Sequence, residues 1–262
     1  MQQRIRIRWT KRGRTRFVSA RDLTSVWERA LRRVDLPIAY SEGFTPHAKV
    51  SFPDALPVGN ESTGEYAELT FAAPIDPEVD LARLSRTLPE GMDVLTYVEV
   101  PDGAPKLARM LRATLWELVW PAVDAAELTE LLERRGASLL ASERAEVIRH
   151  RPKGDRTVDV RPAVLAMTAV SRAAAPDGDG MRTVLRAVLR NDGPTVRPTD
   201  LLSALGGAGG CTPADGAPEE IDIARPQRIV RVAQGEAIDD GLREALTGEV
   251  ETLVTDIDAE AA

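Results

Sequence analysis

Three clusters in the first fifty residues have the types and spacing that chemistry or recognition requires. Lys11-Arg12-Gly13-Arg14-Thr15-Arg16 packs four cations and a glycine into six residues. Such a run reads as a mobile phosphate-binding loop, and the helix N-terminus expected after it also favours anions. Arg29, Arg32 and Arg33 follow on the polar side of that helix, either as further phosphate contacts or as an ordinary solvated face. The third cluster, Tyr40-Ser41-Glu42-Gly43-Phe44-Thr45-Pro46-His47-Ala48-Lys49, crowds a Gly, a Pro, a His, a Lys and two aromatics at the entry to a strand. Tyr40 or Phe44 could stack on a base, and Lys49 could hold a phosphate. His47 could serve as general acid or base on a ribose hydroxyl. The competing reading of this cluster is a structured turn around a packed aromatic.

Composition narrows the chemistry further. The chain has one cysteine, Cys211, and two histidines, His47 and His150. One cysteine makes no internal disulfide and holds no iron–sulfur cluster, and three Cys/His residues fall short of a four-ligand zinc site. Cys211 sits in Gly-Gly-Ala-Gly-Gly-Cys-Thr-Pro, which reads as a flexible loop with an unused thiol. The expectation is a protein with no metal and no cofactor of its own; weak Mg²⁺ bound through carboxylates stays open. The formal charge of −7 hides an asymmetry: residues 1–52 carry twelve Lys/Arg and four Asp/Glu, a balance of +8, so the rest carries −15. A basic region on an acidic protein points to phosphate or to an acidic protein surface.

The elements that must position these residues are legible in the pattern. Arg4-Ile5-Arg6-Ile7-Arg8-Trp9 alternates strictly, which predicts a strand with Ile5, Ile7 and Trp9 on one face. Ser19, with Asp22 three residues on, can cap a helix whose Leu23, Val26, Trp27, Ala30, Leu31 and Val34 share a face. A short strand near 48–53, a hairpin connection over 59–64, a strand at 65–72 with Ala67, Leu69 and Phe71 inward, a helix near 77–87 and a strand near 92–100 follow. The order β-α-β-β-α-β is the ferredoxin-like pattern. It leaves one sheet face open, carrying Arg4, Arg6 and Arg8 unless these pair across strands with Glu68 or sit beside Tyr66.

The second half looks like a looser copy: a strand at 112–120, a helix over 124–135, strands near 143–149, 164–171 and 181–190, a helix from Pro198 to Gly206, and a strand at 227–233. The expected fold is therefore α+β, with two tandem ferredoxin-like halves at 1–101 and 108–234. The second half carries an insertion around 150–163 and a mobile loop over 206–220. Residues 235–262 hold nine acids and one Arg, and Ile238, Leu242, Leu246, Val250, Leu253 and Ile257 keep a helical rhythm, which predicts an acidic C-terminal helix. Apolar residues are 43% and aromatics 4% of the chain, so the core is built mainly from Val, Leu, Ile and Ala. No run approaches the ~20 apolar residues of a membrane span. Met1-Gln2-Gln3-Arg4-Ile5-Arg6 lacks the apolar block of a signal peptide, so a cytoplasmic location is expected.

Ser19, Asp22-Leu23, Glu28-Arg29-Ala30, Arg32-Arg33, Leu36-Pro37, Tyr40-Ser41, Gly43-Phe44, Pro46-His47, Lys49, Gly59, Ser62 and Glu65-Tyr66 together resemble the bacterial radical-SAM-linked proteins of unknown function, in their stand-alone form. The similarity is dense over residues 4–100 and returns at Arg156-Thr157-Val158-Asp159-Val160-Arg161-Pro162. Where that family has a His after the serine, this chain has Ala20, so a mechanism needing that His does not transfer. The resemblance implies a radical SAM partner; this chain has no three-cysteine motif and is not that enzyme. A tandem ferredoxin-like plan is also similar to the RNA-processing proteins of CRISPR systems, in fold alone.

Three functions are in view. The first is a non-catalytic RNA-binding accessory module that presents tRNA or rRNA to a radical SAM modifying enzyme. The second is a metal-independent endoribonuclease using His47. The third is a protein–protein adaptor without RNA.

Overall fold

The computed structural model describes residues 2–121, 125–173, 181–206, 223 and 225–254. It is an α+β protein whose described residues include four α-helices and strands paired both parallel and antiparallel. In chain order the elements are β1 Gln3–Lys11, α1 Ala20–Arg33, β2 Val50–Ser51, β3 Glu61–Phe71, α2 Pro77–Thr87 and β4 Val94–Glu99. Then come β5 Ala113–Trp120, α3 Ala125–Ala141, β6 Glu146–Arg149, β7 Arg156–Asp159, β8 Val164–Ala173, β9 Met181–Arg190 and α4 Pro198–Leu205. The last three strands are β10 Arg228–Ile238, β11 Gly241–Glu244 and β12 Val250–Thr252. The chain forms two compact units. The first comprises Met1–Leu111, Val230–Gly235 and Glu244–Glu249; the second comprises Arg112–Ile229, Glu236–Arg243 and Val250–Ala262.

In the first unit β1 runs antiparallel between β3 and β4, in a register that sets Ile5 opposite Leu69 and Ile7 opposite Ala67. On the outer side of β3, β2 pairs antiparallel at Leu69, while Val230 and Arg231 of β10 pair parallel with Glu61 and Ser62. Gly64 makes that approach possible, since a Cβ there would lie 2.6 Å from the Ala233 backbone. Ser19 caps α1: its hydroxyl accepts from the Asp22 N–H and donates to the Asp22 carboxylate at 2.7 Å. Asp76 caps α2 through the Glu78 and Val79 N–H groups, with Pro77 at the first helical position. The two helices cover one sheet face. Ile5, Ile7, Trp9, Leu23, Trp27, Leu31, Leu69 and Phe71 share a single core there, and Trp9 and Trp27 meet edge to face with centroids 5.2 Å apart.

The other face is not open as the β-α-β-β-α-β pattern suggested. Arg6 is 4% exposed. Its guanidinium donates to Glu68 at 2.8 Å, to Met110 Sδ and to the Pro105 carbonyl. Arg8 donates to the carbonyls of Thr63 and Val232. The chain after β4 returns over this face, and Leu107 and Leu111 pack on Tyr66 together with Ala245 and Leu246. A planar cation with five donors can be buried when carbonyls and a carboxylate surround it, and Arg6 does this. Arg4 stays part-exposed beside Glu68. Cross-strand pairing, the alternative reading of these arginines, is thus what Arg4 and Arg6 show.

In the second unit β9 lies between β5 and β8, antiparallel to both, and α3 packs on β8 and β9. The strand expected at 143–149 leaves this sheet and pairs with β7 in a separate two-stranded sheet. The predicted acidic helix after 235 is overturned. Residues 235–254 continue β10 to Ile238 and then form the β11–β12 pair. A Cβ on Gly241 would sit 2.1 Å from the Glu251 carbonyl, and Gly248 has φ 74°, so turn glycines break the helical spacing of the apolar residues. Residues 255–262, Cys211 and the loop positions 207–220 lie outside the described residues.

Candidate functional site

Alternation along β1 and β3 does not stop where the apolar residues stop. Ile5, Ile7 and Trp9 face the helices, and after a register shift the next inward residue is Lys11, 2% exposed. On β3 the series Phe71, Leu69, Ala67 runs on to Glu65, 4% exposed, opposite Trp9. Arg231, 1% exposed, arrives on β10 beside them. One end of an otherwise apolar core is therefore ionic. Arg231 Nη1 binds Asp54 Oδ2 at 2.6 Å, and its Nε lies 3.3 Å from Glu65 Oε1. Lys11 Nζ donates to the Val18 carbonyl at 2.7 Å.

Burial pushes the Glu65 carboxyl above its ordinary range, although the Arg231 cation pulls the other way. Burial likewise pushes Lys11 below its ordinary value, opposed by Glu65 and assisted by Arg231. A cavity of about 390 Å³ opens at this end, between the first turn of α1, the segment from Val50 to Leu56, and Lys11 with Glu65. Two groups with perturbed protonation against a cavity of ligand size are the physical signature of a site.

The raised carboxyl has a stability consequence. A group whose folded pKa exceeds its unfolded value contributes fully below the unfolded value, here 4.5, and loses that contribution as pH rises through the folded value. Glu65→Gln removes the loss. The stability of the variant relative to the wild type is expected to improve as pH rises from about 4.5, then level off. Urea unfolding from pH 4 to 8 measures this; a difference independent of pH would contradict the assignment.

The residues expected to bind RNA divide differently from their sequence clusters. Lys11 is not part of a mobile basic loop, because it ends β1 and points into the core. The loop itself is an ordered 3-10 turn over Gly13–Phe17, in which buried Thr15 donates to the Arg12 carbonyl. Arg12 and Arg14 are exposed on it. Arg16 is half-buried, 4.5 Å over the ring of exposed Phe17 and 3.5 Å from Glu61. Arg29, Arg32 and Arg33 are exposed along α1.

The Tyr40–Lys49 cluster is a narrow turn. Tyr40 bridges Ala48, the Ser41 N–H donates to the His47 carbonyl, and the His47 N–H donates to the Ser41 hydroxyl. Its aromatic is not packed: Phe44 is fully exposed, and Tyr40, His47 and Lys49 are exposed too. Among the described residues, no hydrogen bond reaches the His47 ring. His150 pairs with Asp155 on an exposed surface. Among the described residues no three His, Cys, Asp or Glu gather as a metal site, and no helix is long and apolar enough to cross a membrane.

Glu65, Asp54 and Arg231 escaped the sequence reading as a cluster. The signal for Glu65 and Lys11 was present: each is a charged residue at an inward register position. Arg231 carries no local signal, because its partners lie far away in the chain.

Residues 4–198 match the model of a family described as "Uncharacterized protein conserved in bacteria (DUF2344)". No curated protein matches the chain. Among solved structures, an unknown protein from Galdieria sulphuraria is similar at 11% identity over 72% of this chain and 82% of that one, with a TM-score of 0.24, a likeness from which nothing about function follows.

Proposed function

We propose a function for a chain that belongs to this bacterial family of uncharacterised conserved proteins: a non-catalytic RNA-binding accessory module working beside a separate radical SAM enzyme. The observation that carries the RNA half is the ordered turn holding Phe44 fully in water between Tyr40 and Lys49. An aromatic in solvent serves no core, and bases stack on such rings whatever their sequence. Phe17 repeats the arrangement, exposed under the Arg16 guanidinium in a basic turn. The radical SAM partner rests on the family resemblance. Tandem ferredoxin-like halves are the finer fold reading that goes with it; the order β4-β1-β3, with β2 outside β3, supports that reading for the first unit. The ribonuclease reading needs an oriented base, and the exposed His47 ring has no orienting hydrogen bond among the described residues.

The test is a salt titration with tRNA and ribosomal RNA fragments. Replacing Arg12, Arg14 and Arg16 with Gln is expected to lower affinity for all sequences and to flatten the log–log salt slope by about 2–3, near 0.7–0.9 per lost phosphate contact. Phe44→Ala is expected to cost about 1–3 kcal/mol of affinity with the salt slope unchanged. Both variants should fold as the wild type does, because surface cations and a solvated ring stabilise little. Absence of RNA binding by the wild type near ~50 mM salt, where phosphate attraction is strong, would replace this function with the adaptor. Metal-independent RNA cleavage lost in His47→Ala would replace it with the nuclease.

A further inference from the structure

We propose that the cavity at the ionic end of the first unit's core is a site for a small uncharged aldehyde or ketone, with Lys11 as the amine that condenses with it. The inference is independent of the RNA function. The chain carries four lysines against thirty arginines; Lys49, Lys106 and Lys153 are exposed, and Lys11 alone among them is buried. Arginine cannot give up its proton, whereas a buried lysine can, which is why nucleophilic amines are lysines held away from water or next to a second cation. Lys11 has both conditions, since it is 2% exposed and interacts with Arg231. Its ammonium has three N–H donors, and among the described residues it donates one hydrogen bond, to the Val18 carbonyl.

The ligand class follows from the walls. Leu23, Phe52 and Leu56 make one side apolar, and Thr24 and Ser51 add hydroxyls. Asp54 and Glu65 would repel an anionic carbonyl compound. Glu65 is the acid the reaction needs. Its buried Oε1 makes an ion pair but no hydrogen bond, 3.3 Å from Arg231 Nε, and burial favours its protonated form against the pull of that cation.

Lys11 first passes an ammonium proton to the Glu65 carboxylate; its Nζ lone pair then forms a bond to the carbonyl carbon while the C=O π pair moves to oxygen, which takes that proton back from Glu65. The nitrogen returns a proton to the carboxylate. Glu65 then protonates the carbinolamine hydroxyl, which leaves as water as the C=N bond forms, and the nitrogen's last proton returns to the Glu65 carboxylate. One carbonyl and one amine give one imine and one water, with no change of oxidation state.

The test treats the full chain with glycolaldehyde and cyanoborohydride at neutral pH, then reads labelling at the four lysines by peptide mass spectrometry. Lys11 is expected to be labelled several-fold faster than exposed Lys49, since burial lowers its pKa and so raises its neutral-amine fraction. Glu65→Gln should slow labelling of Lys11 at least about tenfold and leave Lys49 unchanged. Ala55→Trp, at an exposed position on the cavity wall, should block Lys11 labelling without unfolding the protein, which circular dichroism checks. Labelling of Lys11 no faster than of Lys49, or only in urea, overturns the proposal. So does an unchanged Lys11 rate in Ala55→Trp.

Discussion

Arg231→Leu is expected to destabilise the fold by about 3–5 kcal/mol at neutral pH, the cost of leaving a buried charge without its partner. Arg231 is 1% exposed and neutralises two carboxylates, one of which, Glu65, is itself only 4% exposed. Asp54 is nearly half exposed and recovers hydration when the cation goes. Glu65 can only take up a proton. The penalty should therefore shrink toward pH 5, where protonation of an already raised carboxyl is easy. The double variant Glu65→Leu/Arg231→Leu should recover most of the loss, because an apolar pair of similar volume carries no desolvation cost. Urea unfolding of the single and double variants decides the matter. A loss that is the same at pH 5 and pH 7.5 would show that Arg231 stabilises by packing alone.

Trp27→Ala is expected to cost a similar ~3–5 kcal/mol by a different mechanism, the removal of a fully buried ring. Trp27 has no exposed surface and forms a triangle of rings with Trp9 and Phe52, whose centroids lie 5.2 Å and 5.9 Å away. The β-strand and helix on either side cannot collapse into the space without breaking the register of β1. Trp27→Phe keeps the edge-to-face contact and should lose less than half as much. Thermal or urea unfolding measures both. A loss under about 1 kcal/mol for the alanine variant would mean that the core around Trp9 relaxes freely.

Sequence patterning was sufficient where interactions are local. The alternation of Ile5, Ile7 and Trp9, the Ser19 cap and the helix expected near 77–87 each depend on contacts over a few residues, and each appears in the structure. The covering of Arg6 and Arg8 was not legible, since it depends on carbonyls of Pro105 and Val232 that no pattern around β1 reveals. Lys11 was misjudged for an instructive reason. A run of cations reads as a loop, yet strand alternation extended by one step makes the first of them an inward residue. The C-terminal helix failed because apolar spacing near four residues also arises from short strands separated by turns, and Gly241 and Gly248 were the signals that weighed against it. Arg231 lies beyond any local rule, joined to Glu65 by tertiary structure alone.

That last pairing has a consequence for how the protein is made. Glu61, Ser62 and Glu65 leave the ribosome early, but the strand that covers them is synthesised on the order of ten seconds later at ~5–20 residues per second. Through that interval the Glu61–Ser62 end of β3, beyond the part paired with β2, waits as an unpaired edge, the kind of surface that recruits other nascent chains. The residues at the waiting end are the polar ones, Glu61, Ser62 and Glu65, with Gly64 among them. An ionic core end that is costly once buried is thus protective while exposed. The same carboxylate that later demands Arg231 keeps the unfinished sheet hydrated until the arginine arrives.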